Sequence, residues 1–235
     1  MTPDLTHRNR VAEWMDEPDA DPKLVAQSLR YIRVINRLFR YTRATVSHLE
    51  QFSRRWKPNE RITIADLATG SADIPRAILR WADRRGFDVH VVGVDRHPTI
   101  SREALRRDPD PRLTIVRGDA LDLPFDDGSV DYAITNMFMH HLDEVDVVRL
   151  LTDMNRIARR GVVVADLERD RAAYRWISLF TLLANPMVRH DARVSVAQAF
   201  TRDEVLALRD RAGIGYAQYH PHFAYRFVLA GEKSL

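Results

Sequence analysis

The sequence predicts an α/β fold: a seven-stranded, mostly parallel sheet with an antiparallel last strand, helices on both faces, and an N-terminal helical cap. Three observations carry that expectation. Between Ile62 and Asp166, short apolar β-branched runs alternate with helical patterns, as parallel strands joined by crossover helices do. Runs such as VVGV and GVVVA are apolar at consecutive positions, which suits strands buried on both faces. The chain then closes with two apolar runs separated only by Pro221-His222, a connection short enough to demand antiparallel pairing.

The elements follow in order. Asp21 can cap a helix with Pro22 at its first position. Val25, Leu29, Ile32, Ile35, Phe39, Val46 and Leu49 then recur at three- and four-residue spacing, giving one apolar stripe. Arg30, Arg33, Arg37, Arg40 and Arg43 form a basic stripe, read as a solvated face; a surface for an anionic partner is the sharper alternative. Pro58-Asn59 ends this unit, so residues 1–56 read as a cap and 57–235 as the main domain. Strands are expected at Ile62–Leu67, Val89–Val94, Leu113–Val116, Val130–Thr135 and Gly161–Ala165. Helices are expected at Ile74–Arg85, closed by Gly86, briefly after Pro98, and at Glu144–Ala158. Beyond the fifth strand, Arg171–Leu183 reads as an apolar helix and 186–200 as irregular, together a lid insertion over about 171–200. Thr201 with Glu204 forms a capping box for a helix that Gly213 ends. Ile214–His220 and Phe223–Ala230 are the closing strands.

Composition narrows the function classes. At roughly 100–200 residues per domain, 235 residues make one large domain or one with an appendage. Cysteine is absent, which removes disulfides, thiolate-ligated metals and thiolate nucleophiles. The 36 cations and 33 anions nearly balance, at net +3, and only Lys23, Lys57 and Lys233 are lysines. Arginine spread along the chain rather than clustered argues against a nucleic-acid partner. The N-terminus MTPDLTHRNRVAEWMDEPDA has no apolar core for a targeting signal. The longest apolar stretch, Trp176–Ala184, is nine residues interrupted by Ser178 and Thr181, whereas a membrane span needs about 20. A cytoplasmic protein, monomer or homodimer, with no membrane span is expected.

The chemistry concentrates at strand ends. After the first strand comes Asp66-Leu67-Ala68-Thr69-Gly70-Ser71-Ala72-Asp73. Small residues at 68, 70 and 72 let backbone approach a ligand at a helix N-terminus. A pyrophosphate-binding fingerprint needs three glycines, and a carboxylate at Asp73 is a poor host for phosphate. A hydroxyl- and amine-bearing ligand fits better. Asp95 ends the second strand, where an acidic residue takes ribose hydroxyls, and Asp119 ends the third.

The runs ITIADLATGSADIP, VVGVDRHP and RGDALDLPFDDGSVDYAITNMFMHHL resemble a class I S-adenosylmethionine-dependent methyltransferase with its Rossmann-like fold. The resemblance covers about 57–235 and is nearest to ubiquinone/menaquinone-biosynthesis and secondary-metabolite enzymes. The stretch from Asp166-Leu-Glu-Arg through VRHDARVSVAQAFT resembles polyketide-tailoring enzymes. It implies an S-adenosylmethionine site that releases S-adenosylhomocysteine. Asp66, Ala68, Thr69, Gly70, Ala72 and Asp73 would meet the methionine part, and Asp95 with Arg96 the ribose. Asp119 and Ala120 would hold the adenine, and Asn136 and Met137 would lie near the sulfonium. Alanines at 68 and 72 depart from the usual glycines, and tighter packing is expected there.

The expected acceptor is a small aromatic or polyketide-like molecule, with O-methylation favoured and C-methylation the close variant. His140 and His141, just past the fourth strand, are candidate bases, and His190 beside Asp191 is another. Without cysteine, covalent pyrimidine methylation is excluded. Asn136-Met-Phe-Met is not the Asn-Pro-Pro-aromatic motif of exocyclic amino methylation. Thr135-Asn136 and Asp166-Leu167 lack the acidic pattern of catechol-type metal enzymes, so no metal is expected. Two other readings stay open: a non-catalytic binding protein on this fold, and a nucleic-acid methyltransferase.

Overall fold

The computed structural model describes residues 3–17, 19–38, 41–97 and 109–234. Phe39, Arg40 and the short helix expected after Pro98 lie outside the described residues. Seven strands form one sheet: β1 (Arg61–Leu67), β2 (Asp88–Asp95), β3 (Leu113–Arg117), β4 (Val130–Asn136), β5 (Ala158–Leu167), β6 (Gln218–His222) and β7 (Arg226–Glu232), in the order β3-β2-β1-β4-β5-β7-β6. The first five pair in parallel, and β7 pairs antiparallel with both β5 and β6. The order reverses between β1 and the adjacent β4. An open α/β sheet has its ligand crevice at the carboxyl ends of such a pair of strands.

Seven α-helices are described: α1 (Pro22–Leu38), α2 (Tyr41–Phe52), α3 (Asp73–Arg85), α4 (Glu144–Ile157), α5 (Arg171–Phe180), α6 (Pro186–Gln198) and α7 (Arg202–Arg211). On β1, Ile62 and Ile64 pack on one face with residues of α2 and α3, while Ala65 and Leu67 pack on the other with residues of α4 and α7. Both faces are therefore covered, and burying Ile62, Ile64 or Leu67 contributes about 1.5–3 kcal/mol each.

The boundaries depart from expectation in three places. The N-terminal unit holds two helices, with Val25 and Leu49 buried and Arg30 and Arg43 exposed. The expected irregular segment 186–200 is a helix. Asn185 caps it through Val188 N at 2.9 Å and Pro186 sits in its first turn. Its periodicity was obscured because buried residues occur around it, Asp191, Ser195 and Gln198 among them. The closing strands begin later, and residues 223–225 turn between them with Ala224 and Tyr225 at positive φ. No helix among the described residues is long and apolar enough to cross a membrane.

Candidate active site

The loop after β1 takes up a left-handed backbone at every second residue: Ala68 (φ 57°), Gly70 (57°) and Ala72 (56°). That conformation costs an L-residue with a Cβ roughly 1–2 kcal/mol, which explains why only the smallest side chains stand there. Asp66 lies beneath the loop, buried, and its Oδ2 accepts from Thr69 Oγ1 at 2.6 Å. Burial, with Asp95 adding to it and Thr69 opposing, raises its carboxyl to about 7. Asp95 joins two loops: one oxygen accepts from Gly70 N and the other from His97 N, both at 2.9 Å. Asp119 accepts from Leu121 N at 2.9 Å and is exposed at the mouth, with Ala120 buried behind it. Asp73 opens α3 and accepts from Ser71 Oγ at 2.8 Å.

These strand ends border a cavity of about 550 Å³. Ala68, Thr69, Gly70, Asp73, Asp95, Arg96, Asp119, Ala120, Asn136 and Met137 line it. Asp66 and Ala72 do not; they support the loop from behind. The same cavity continues between the N-terminal unit and the insertion after β5, where Leu29, Ile35, Trp176, Ile177 and Val196 give it apolar walls.

At that far end the structure gathers residues no sequence motif connected. His140 is buried; its backbone N and Nδ1 both bond to Asp166, at 3.0 and 2.6 Å. Its Nε2 lies 3.7 Å from Glu13 Oε1, and His141 Nε2 lies 4.0 Å from the same oxygen. Burial pulls the His140 pKa down, but Asp166 and Glu13 outweigh it and raise it to about 10. His140 therefore carries a proton at neutral pH and is a poor general base. Burial likewise pushes Glu13 up, yet the nearby His140 and His141 and the Ser195 hydrogen bond hold it below the usual range. Ser195 Oγ and Gln198 Nε2 fix the Glu13 carboxylate at 2.5 and 3.2 Å. His141 lines the cavity and is only partly buried.

His190 stands elsewhere. It stacks on Trp14 with ring centroids 4.1 Å apart and borders a separate, more open hollow. Its neighbour Asp191 is the one that reaches the site, accepting from Trp14 N and Met15 N at 2.8 and 3.1 Å. Arg8 completes the anchoring of the N-terminal segment, donating to the Gln198, His140 and Leu142 carbonyls and covering the Phe200 ring. Glu13, Thr45, Arg8 and Ser195 escaped the sequence reading because none belongs to a periodic or spaced pattern.

Comparison with known proteins agrees with this geometry. Residues 64–161 match the family model described as a methyltransferase domain. The chain is 35% identical over 103 residues to a demethylmenaquinone methyltransferase of Roseiflexus sp. strain RS-1, covering 44% of this chain and 41% of that protein. It is 33% identical over 113 residues to a 2-phytyl-1,4-naphtoquinone methyltransferase of Nostoc punctiforme, covering 46% and 47%. The chain thus spans less than half the length of these relatives. Among solved structures, the fold is similar to the plantazolicin methyltransferase BpumL in complex with SAH (TM-score 0.67, 14% identity, covering 88% and 75%). It is also similar to a putative O-methyltransferase of Nostoc punctiforme (TM-score 0.63, 17% identity, covering 94% and 63%). The switch-point crevice and the left-handed loop both lie within residues 64–161, the stretch that matches the methyltransferase-domain model.

Proposed function

We propose that this protein transfers a methyl group from S-adenosylmethionine to a small quinone-type or phenolic acceptor, with O-methylation favoured and C-methylation the close variant. The observation that carries the reading is one continuous cavity with two unlike ends. One end is bordered by Gly70 and by the carboxylates Asp73, Asp95 and Asp119; the other is walled by Leu29, Ile35, Trp176 and Ile177, with Glu13, His140 and His141 also in the lining.

The residues at the polar end fit the cofactor. Carboxylates accept from hydroxyls and amines, and a Cβ built on Gly70 meets nothing within 4 Å, so backbone and ligand can approach closely. Asn136 lines the cavity as well, its side chain also interacting with the buried Asp66 carboxyl beneath the loop. On this reading Asp95 holds the ribose hydroxyls, Asp119 and Ala120 border the adenine, and the loop at 68–73 receives the amino-acid part. When bound, S-adenosylmethionine supplies an electrophilic methyl group on a sulfonium, and the transfer step itself needs no metal.

The chain's own part is to bind, orient and exclude water. Residues 1–56 and the insertion at about 171–200 act as cap and lid over the sheet edge. Identity to quinone methyltransferases over the central residues supports a quinone-type acceptor, and the apolar far end supports a hydrophobic one.

Calorimetry with S-adenosylhomocysteine tests the cofactor half. Saturable one-to-one binding is expected, and its absence defeats the enzyme reading in favour of a binding protein on this fold. A screen of naphthoquinols and alkylphenols with radiolabelled donor tests the acceptor half. Label appearing only in RNA or DNA would defeat it.

A further inference from the structure

Among the described residues, Glu13, His140 and His141 are the one His/Cys/Asp/Glu group whose ligand atoms, all within 4.8 Å of one another, could share an ion. We propose that these three residues bind a divalent, imidazole-preferring metal ion of the Zn2+ type at the acceptor end of the cavity. The site itself rests on geometry, and its placement beside the acceptor rests on the proposed function.

The distances make the case. Glu13 Oε1 lies 3.7 Å from His140 Nε2 and 4.0 Å from His141 Nε2. Those separations are too long for hydrogen bonds, which fall at about 2.7–3.2 Å. They suit atoms sharing an ion at about 2.0–2.2 Å from each, whose mutual spacing is about 3–4 Å.

The surroundings are those of a metal ligand set. His140 gives its Nδ1 side to Asp166 at 2.6 Å, which fixes the ring and points Nε2 into the cluster, as carboxylate–histidine–metal arrangements do. Ser195 and Gln198 hold the Glu13 carboxylate from the other side. Glu13, His140 and Asp166 are each no more than 5% exposed. Two buried carboxylates need positive charge nearby. A divalent ion supplies it for both with the imidazoles neutral, taking the place of a proton on His140 Nε2.

Two imidazoles and one carboxylate leave coordination positions open. All three ligands line the cavity, so an open position would take an oxygen of the acceptor and orient it. The expectation of no metal came from the motifs around Thr135-Asn136 and Asp166-Leu167, and Glu13 lies outside both.

The test is calorimetric titration of the chelator-stripped full chain with Zn2+, alongside S-adenosylhomocysteine. The expected result is one Zn2+ per chain, bound at least tenfold more weakly by E13Q and by H141N, with S-adenosylhomocysteine affinity retained. Co2+-loaded protein should show a visible ligand-field band that both variants lose. S-adenosylhomocysteine binding without Zn2+ binding overturns the metal site and leaves the cofactor reading standing. Equal Zn2+ affinity in wild type, E13Q and H141N also overturns it, because the ion then sits elsewhere, for example near His48 and His222. If E13Q fails to fold, H141N decides alone, since His141 is only partly buried.

Discussion

Thr45, in the middle of α2, donates its hydroxyl to Asn136 Oδ1 at 2.5 Å, tying the N-terminal unit to the end of β4. Thr45 is fully buried and Asn136 lines the cavity. Thr45→Val keeps the shape and removes the donor. A neutral hydrogen bond of this kind contributes about 0.5–1.5 kcal/mol, so urea unfolding should show a loss of that order. Turnover should fall more than S-adenosylhomocysteine affinity, because Asn136 is released rather than removed. Unchanged stability and turnover would show that the tie is idle.

Asp95 is expected to matter twice, through Gly70 N and through the cofactor. Hydrogen bonds to a charged group contribute about 1.5–3 kcal/mol, so Asp95→Ala should weaken S-adenosylhomocysteine binding roughly 10–100-fold. Circular dichroism should stay native, since β2 is held by its pairing with β1 and β3.

Acid should destabilise the fold through His48. Burial, and then the nearness of His220 and His222, lowers its pKa from 6.5 to about 4. The unfolded chain therefore takes up a proton between those values that the native state refuses. Native stability is full above about pH 6.5 and declines as pH falls toward 4. Urea midpoints measured across that range should fall, and His48→Asn should flatten the decline. An equal decline in the variant would place the acid sensitivity elsewhere.

Gly161 marks where β5 and β7 meet most closely. A Cβ there would strike the Gly231 carbonyl, a backbone atom that cannot swing aside. Gly161→Ala should cost about 1–3 kcal/mol or more, read as a lower thermal midpoint. Gly86→Ala makes a useful contrast. A Cβ there meets nothing within 4 Å, and its cost comes from a φ of +70° at the helix end alone.

Much of the fold was legible because local signals agreed with one another. Asp73–Arg85 closes at Gly86 in the left-handed region, and Thr201 with Glu204 forms the reciprocal cap, both as spacing required. Pro186–Gln198 escaped because both its faces are partly buried, so no polar stripe marks a helix. The edge where the cofactor is proposed to sit was legible as geometry: carboxylates ending successive parallel strands must share one edge of the sheet. His190 misled because adjacency to Asp191 says nothing about which of the two turns inward; His190 stacks on Trp14 while Asp191 caps the segment that carries Glu13.

The sequence by itself determined the architecture, the shared edge of carboxylates and the chemistry excluded by the absence of cysteine, since all three follow from short-range pattern and composition. Only the tertiary structure decided what stands beside Leu29, Ile35, Trp176 and Ile177 in the cavity. Glu13 meets His140 and His141 there because Arg8 and Asp191 pin the N-terminal segment against residues far along the chain. Contacts of that kind are set by the packing of the whole fold and leave no spacing in the sequence to find.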